Sequence, residues 1–302
     1  MQVLINVVLP VFLVIGVAAL AQTRLHLESR TLSRAVFYLF APALVFDSLT
    51  DSTVGGAEFG KIVAVLLLTT VAMWAVGLVI ARLLRLGGPT QAAFLSAILL
   101  MNAGNYGLSI NFFAFGREGL ARASLFFTGS AVLSASLGVY LSARGRASVR
   151  EALGRVVRMP LVYAAVVGLA LNLSGITPPD ALSKAAHLLG QASVPAMLVL
   201  LALSLVGAIR DRHYRVNVPA LGAVAVARLV IAPLMATGIA ALIGLQGLTR
   251  DVTILQNAMP TAVITTILAT EFDSDPPFAA LAVLVTTLAS LFTVTLLLNR
   301  LM

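Results

Sequence analysis

The strongest constraint in this sequence is a series of apolar stretches, each long enough to cross a bilayer as a helix. A membrane helix needs about 20 predominantly apolar residues. By that measure ten stretches fall at 3–22, 32–50, 61–82, 91–114, 121–143, 157–174, 184–208, 217–244, 250–271 and 277–299. They occupy most of the 302 residues and leave no room for a soluble domain. The first stretch resembles a leader segment, but Met1–Leu9 lacks a basic region and the apolar run continues for a full span. Only 11% of the residues are charged, against roughly a quarter in an ordinary soluble domain. With a mean hydropathy of +1.01, the chain lacks the polar residues to cover a soluble surface. The expected fold class is an all-α polytopic membrane protein, whose helices satisfy the backbone within lipid.

The net charge of +8 does not point to nucleic acid, because the basic residues lie between the apolar runs. Thirteen of them follow the odd-numbered spans, at Arg24, Arg30, Arg34, Arg82, Arg85, Arg144, Arg146, Arg150, Arg155, Arg158, Arg210, Arg212 and Arg215. Six lie on the opposite side: Lys61, Arg117, Arg122, Lys184, Arg250 and Arg300. The positive-inside rule places the richer side in the cytoplasm. Both termini are then expected on the outer, periplasmic side of the inner (plasma) membrane. The acidic cytoplasmic turn of Glu271, Asp273 and Asp275 opposes this only weakly, because acids count little in the rule. Cysteine is absent, and the three histidines have no metal-ligand spacing. No metal and no cofactor are expected.

The basic segment 144–158 divides the spans into two sets of five, giving repeats at 1–145 and 146–302. The halves share punctuation. Pro10 and Pro160 begin the first and sixth spans. Pro42 and Pro195 lie in the second and seventh, each followed by alanine. Asn102 and Asn257 lie in the fourth and ninth. The intervals from proline to asparagine are 60 and 62 residues. Because five is odd, the second repeat must enter the membrane from the opposite side. That is an inverted repeat, an architecture common among secondary transporters, with the binding site near the midplane where corresponding helices are interrupted.

The fourth and ninth spans carry the interruptions. Between Met101 and Asn111 the fourth holds Asn102, Gly104, Asn105, Tyr106, Gly107 and Ser109. Glycine relaxes a helix and asparagine competes for its backbone hydrogen bonds. The ninth span reads Gln256-Asn257-Ala258-Met259-Pro260-Thr261, and Pro260 removes a backbone donor. Freed backbone groups in lipid need partners, so irregular backbone is tolerated where it lines a cavity. Asparagine and tyrosine side chains beside a half-helix N-terminus suit a carboxylate. The competing reading is helix-packing glue. Two such segments at matching places in inverted halves favour a site.

Arg228 lies near the middle of the eighth span, where a charge costs at least about 2.5–3.5 kcal/mol on insertion scales. It needs a partner or water. Two readings stay open: a two-pronged carboxylate ligand, or a structural pair with Asp47, Glu271 or carbonyls of the ninth span. Asp47 reads as a cap at the outer end of the second span; if buried, it becomes a candidate for proton coupling. Glu271 reads as part of a solvated turn and is the weaker coupling candidate.

These motifs resemble the auxin efflux carrier family of bacterial and plant transporters, over essentially the whole chain. Asn102, Gly104, Asn105, Tyr106, Gly107 and Ser109 occupy the family's fourth-span motif, and Ala258, Met259 and Pro260 match its ninth-span motif. Ser109 stands where the family has a proline. The resemblance implies a fold shared with sodium–bile acid symporters, in which broken fourth and ninth helices cross. A core of spans 3–5 and 8–10 is implied to move, elevator-like, against a scaffold of spans 1, 2, 6 and 7, which can also pair two copies. The implied cargo is a small organic anion such as an auxin-like acid or a mono- or dicarboxylate. The sequence lacks a Gly-x-x-x-x-Gly-Lys-Ser/Thr phosphate loop, rings of pore residues and a His-Glu-x-x-His or Gly-x-Ser-x-Gly motif. A secondary carrier is therefore expected rather than an ATP-driven pump, a channel or an intramembrane enzyme. The alternative kept open is a carrier of a non-anionic solute.

Overall fold

The computed structural model describes residues 2–138, 141, 154, 156–210 and 217–302. Arg144, Arg146, Arg150, Arg155, Arg212 and Arg215, which carry much of the orientation argument, lie outside the described residues, as does the boundary between the two expected repeats.

The described chain is helical, with no strand beyond one isolated bridge. Seven helices are long and apolar enough to cross a membrane. They are α1 (Leu4–Leu25), α2 (Ser29–Thr50), α3 (Gly56–Leu83), α5 (Gly107–Leu137), α7 (Asp180–Gly207), α8 (Val218–Ile243) and α11 (Pro276–Leu301). Shorter helices complete the set: α4 (Gly88–Leu99), α6 (Pro160–Ser174), α9 (Gly247–Asn257) and α10 (Ile264–Glu271). Helix α5 is interrupted at Gly116, whose φ of 63° and ψ of −153° lie outside the helical region and need a residue without Cβ.

Some of the prolines sit inside long helices without breaking them. Pro10, Pro42 and Pro233 are each preceded by a five-residue π-helical turn, at Leu4–Val8, Val36–Phe40 and Ala227–Ile231. A proline has no N–H and its ring crowds the carbonyl four residues back. In each case the residue before the proline donates to the carbonyl five residues back. The widened turn absorbs the clash locally, and the helix continues.

Helices α1, α2, α6 and α7 pack on one another, and α3, α4, α5 and α8 to α11 pack together. The first group is drawn tight by small residues, which let backbones approach without a hydrocarbon driving force. A Cβ on Gly190 would lie 3.1 Å from Leu44 Cα, and one on Gly168 would lie 3.3 Å from Phe46 O, both on α2. The groups meet where α2 lies against α5 and α7 against α11. Leu13, Val17 and Leu20 of α1 and Leu67, Leu68 and Val71 of α3 are exposed, as lipid-facing positions should be.

Candidate functional site at the crossing of two broken helices

Helix α4 ends at Leu99, and the chain turns through Leu100–Tyr106 before α5 begins at Gly107. Helix α9 ends at Asn257, and the chain turns through Ala258–Val263 before α10 begins at Ile264. The two interruptions touch. Met101 and Thr261 form an antiparallel bridge. Asn102 N donates to Pro260 O at 2.7 Å, and Ala262 N donates to Leu100 O at 2.8 Å. The backbone groups that each break frees are thus partly satisfied by the other break.

Side chains from neighbouring helices finish the job. Thr261 Oγ1 donates to Ala97 O at 2.9 Å, and Thr286 of α11 accepts from Thr261 N at 3.1 Å. The Gln256 amide donates to Ala103 O and Ala123 O at 3.3 and 3.2 Å. Gln256 Oε1 lies against Gly107, where a Cβ would fall 2.2 Å from it. Gly104 faces the Phe127 ring in the same way, at 2.6 Å. These two glycines are therefore demanded by close approach as well as by the break.

Arg228 is 1% exposed. Its Nη1 donates to Ile98 O at 2.7 Å, its Nε to Met259 O at 3.1 Å, and its Nη2 to Asn257 O. One guanidinium therefore binds the C-terminal ends of α4 and α9 together, where helix dipoles concentrate negative charge. Of the partners weighed for Arg228, the structure supplies the carbonyls of the ninth span, joined by one from the fourth.

The remaining expected residues separate by environment. Asn102, Asn105, Tyr106, Ser109, Asn257, Met259 and Pro260 are all buried at the crossing. The Tyr106 hydroxyl accepts from Ser290 Oγ at 3.1 Å, and Ser109 Oγ donates to Asn105 O at 3.2 Å. Asn257 Nδ2 donates to Thr253 O at 2.9 Å, while its Oδ1 and the Asn102 Nδ2 are buried without a partner. Asn105 is 6% exposed. Neither coupling candidate is at the crossing. Asp47 meets Arg117 and His187 near the far end of α2. Glu271 is an exposed residue ending α10.

Comparison with known proteins places the chain among transporters. Residues 142–298 match the family described as membrane transport protein. An uncharacterised transporter of Methanothermobacter thermautotrophicus is 30% identical over 265 residues, covering 87% of this chain and 86% of that protein. The chain belongs to the membrane transport protein family. A second transporter, from Methanocaldococcus jannaschii, is 24% identical over 276 residues, covering 89% and 88% of the two chains.

Sequence reasoning missed several residues of this transporter that the fold brings into play. Thr286 is one of many threonines in an apolar span, and nothing in its neighbourhood marks it. Arg122 reads as an outer-loop charge but is 8% exposed within α5. There it donates to Thr249 Oγ1 at 2.8 Å and pairs with Glu118 at 2.6 Å. The i,i+4 spacing of Glu118 and Arg122 was the available signal.

Proposed function

We propose that this transporter is a secondary carrier for a small organic anion, working by alternating access at the crossing. The reading takes the four broken-helix segments, the seven long helices and α6 as ten spans. It counts α5 as the second half of the fourth span plus the fifth, and arranges the ten in two inverted sets of five with both termini outside. Helices α1, α2, α6 and α7 serve as scaffold, and the remainder form the moving core. A scaffold-mediated homodimer is compatible with this division.

The observation that carries the anion is the charge balance at the crossing. Four half-helix ends converge there. The two C-terminal ends each bring roughly half a negative charge, and the two N-terminal ends each bring roughly half a positive one. Arg228 offsets the C-terminal ends through Ile98, Asn257 and Met259. The N-terminal ends of α5 and α10 have no acidic side chain in their first turns. The crossing is left with a net positive field in a buried setting, which favours a carboxylate. Asn105, whose side chain lies at the crossing and is 6% exposed, is expected to contact it. Arg228 acts as the clamp that makes the balance positive, not as a direct ligand.

A second reading, a carrier of an uncharged polar solute, draws support from the same commitment of Arg228 to backbone. Thermal stabilisation of the purified protein by indole-3-acetate, malate and malonate separates the two. A ligand of the folded state raises stability as RT ln(1 + [L]/Kd), about 2.7 kcal/mol at a hundredfold excess over Kd. The expected result is a shift with one acid, lost in Asn105→Ala while the ligand-free melting temperature stays put. A shift only with uncharged solutes would replace the anion reading with the second.

A further inference from the structure

Among the described residues, polar side-chain contacts between the two packing groups gather at one end of the molecule, around Gly116. Arg117 follows that break. Its Nη2 lies 3.6 Å from Asp47 Oδ2 on α2 and 3.2 Å from His187 Nδ1 on α7. His187 Nδ1 lies 3.0 Å from the same Asp47 oxygen, and the Gln191 amide reaches His187 Nε2 at 2.8 Å. Donation from Gln191 to Nε2 leaves the proton on Nδ1, directed at Asp47. One carboxylate thus holds a residue from each of α5 and α7.

A second chain of bonds lies beside the first. Thr53, in the link from α2 to α3, donates to Glu118 Oε2 at 2.8 Å. Glu118 pairs with Arg122, whose Nη2 also lies 3.8 Å from Glu58 at the start of α3. Arg122 Nε donates to Thr249 at the start of α9. Asn172 of α6 donates to Thr50 O and Ser52 O at 3.2 and 2.6 Å, tying the link to the first group. Slightly deeper, Ser48 of α2 donates to Ser124 of α5 at 3.1 Å. The hydrophobic contacts elsewhere between the groups can slide, since non-directional packing has no fixed register. These bonds are directional and cannot be kept through a relative displacement of several ångströms.

We infer that the Asp47–His187–Arg117 cluster, with the Thr53–Glu118–Arg122 chain beside it, is a latch that holds the outer end of the moving core against the scaffold and must part in each transport cycle. The inference rests on the alternating-access reading of the crossing. It gives Asp47 a role without requiring it to carry a proton: the carboxylate is the fixed catch and Arg117 the part that leaves. Arg117 has two-thirds of its side chain exposed, so its removal should leave packing intact and act on the equilibrium between closed and open outer ends.

The chain contains no cysteine, so a single introduced thiol reports without background. Asn105→Cys, placed at the crossing, is labelled from the outer side of right-side-out vesicles with a membrane-impermeant maleimide. Adding Arg117→Ala or Asp47→Asn should speed labelling by about five-fold, the factor set by a partly exposed ion pair. Arg117→Lys, which keeps the charge, should label close to the slow rate. Equal rates with Arg117→Ala and Arg117→Lys, or no labelling in any background, would overturn the latch. The outcomes are separable from those of the carrier reading. Loss of stabilisation by every carboxylate removes the anion and leaves a latch-dependent labelling rate standing. An unchanged labelling rate removes the latch and leaves stabilisation by a carboxylate standing.

Discussion

Between α4 and α5 the chain leaves the helix at Leu100 with no proline nearby, whereas the break between α9 and α10 contains Pro260. The first relies on Gly104 and Gly107, which admit the Phe127 ring and the Gln256 amide. The second relies on a residue that cannot donate and that restricts Met259 before it to extended backbone. Yet each break lasts a similar length, each lends one backbone bond to the other, and both preceding helices end on the same arginine. The interruption is therefore a property of the pair. Local chemistry permits each break, and tertiary partners hold it open.

The largest expected effect comes from removing what the two breaks share. Arg228→Gln strands the carbonyls of Ile98, Asn257 and Met259, which one amide cannot satisfy together. Each unsatisfied buried group costs roughly 1–3 kcal/mol, a large share of ordinary stability. We expect a severe loss of folded protein in detergent, measured as the monodisperse fraction on size-exclusion chromatography. Full recovery of folded Arg228→Gln with weakened carboxylate binding would make Arg228 a ligand and undo the shared-clamp comparison.

Much of this arrangement was legible before the structure. The all-helical membrane architecture, the two interruptions and the demand of Arg228 for a partner follow from apolar run lengths, from glycine, asparagine and proline placement, and from the cost of a buried charge. The identity of that partner did not follow, because backbone carbonyls leave no mark in a sequence. Ile98 is an ordinary apolar residue whose oxygen matters only through where α4 stops. Glycine and asparagine placement in the fourth span gave no account of what holds it open. The answer lies in Gln256 and Thr261, residues on the other break. The latch escaped for a related reason: Asp47 and His187 are 140 positions apart, and Asp47 alone reads as a helix cap.

A smaller effect tests the proline-free break by itself. In Gly107→Ala the added Cβ would sit 2.2 Å from Gln256 Oε1 and 3.1 Å from Met259 Cγ. The Gln256 amide is pinned at its other end by Ala103 O and Ala123 O and cannot swing away without stranding both. Overpacking of this kind costs typically about 1–3 kcal/mol. The expected readout is a lowered melting temperature with the protein still folded. An unchanged melting temperature would mean that the crossing is loose enough to admit a methyl group and that the two breaks are not mutually fitted.

The smallest effect is expected at the residue that most visibly marks a helix break. In a regular helix, replacing an interior proline by alanine recovers up to about 3 kcal/mol. In Pro260→Ala no such gain should appear. Met259 O remains held by Arg228, Thr261 by Ala97 and Thr286, and residue 260 by Asn102 N through an oxygen that any amino acid supplies. What changes is the unfolded chain, which gains freedom worth about 0.4–1 kcal/mol, together with one new buried N–H that must find an acceptor. The melting temperature should fall slightly, and by less than in Gly107→Ala. A fall larger than in Gly107→Ala would mean that proline alone holds the second break open. A rise would mean that α9 and α10 fuse once proline is gone, leaving Asn102 N and Leu100 O without partners and the first break to stand without the second.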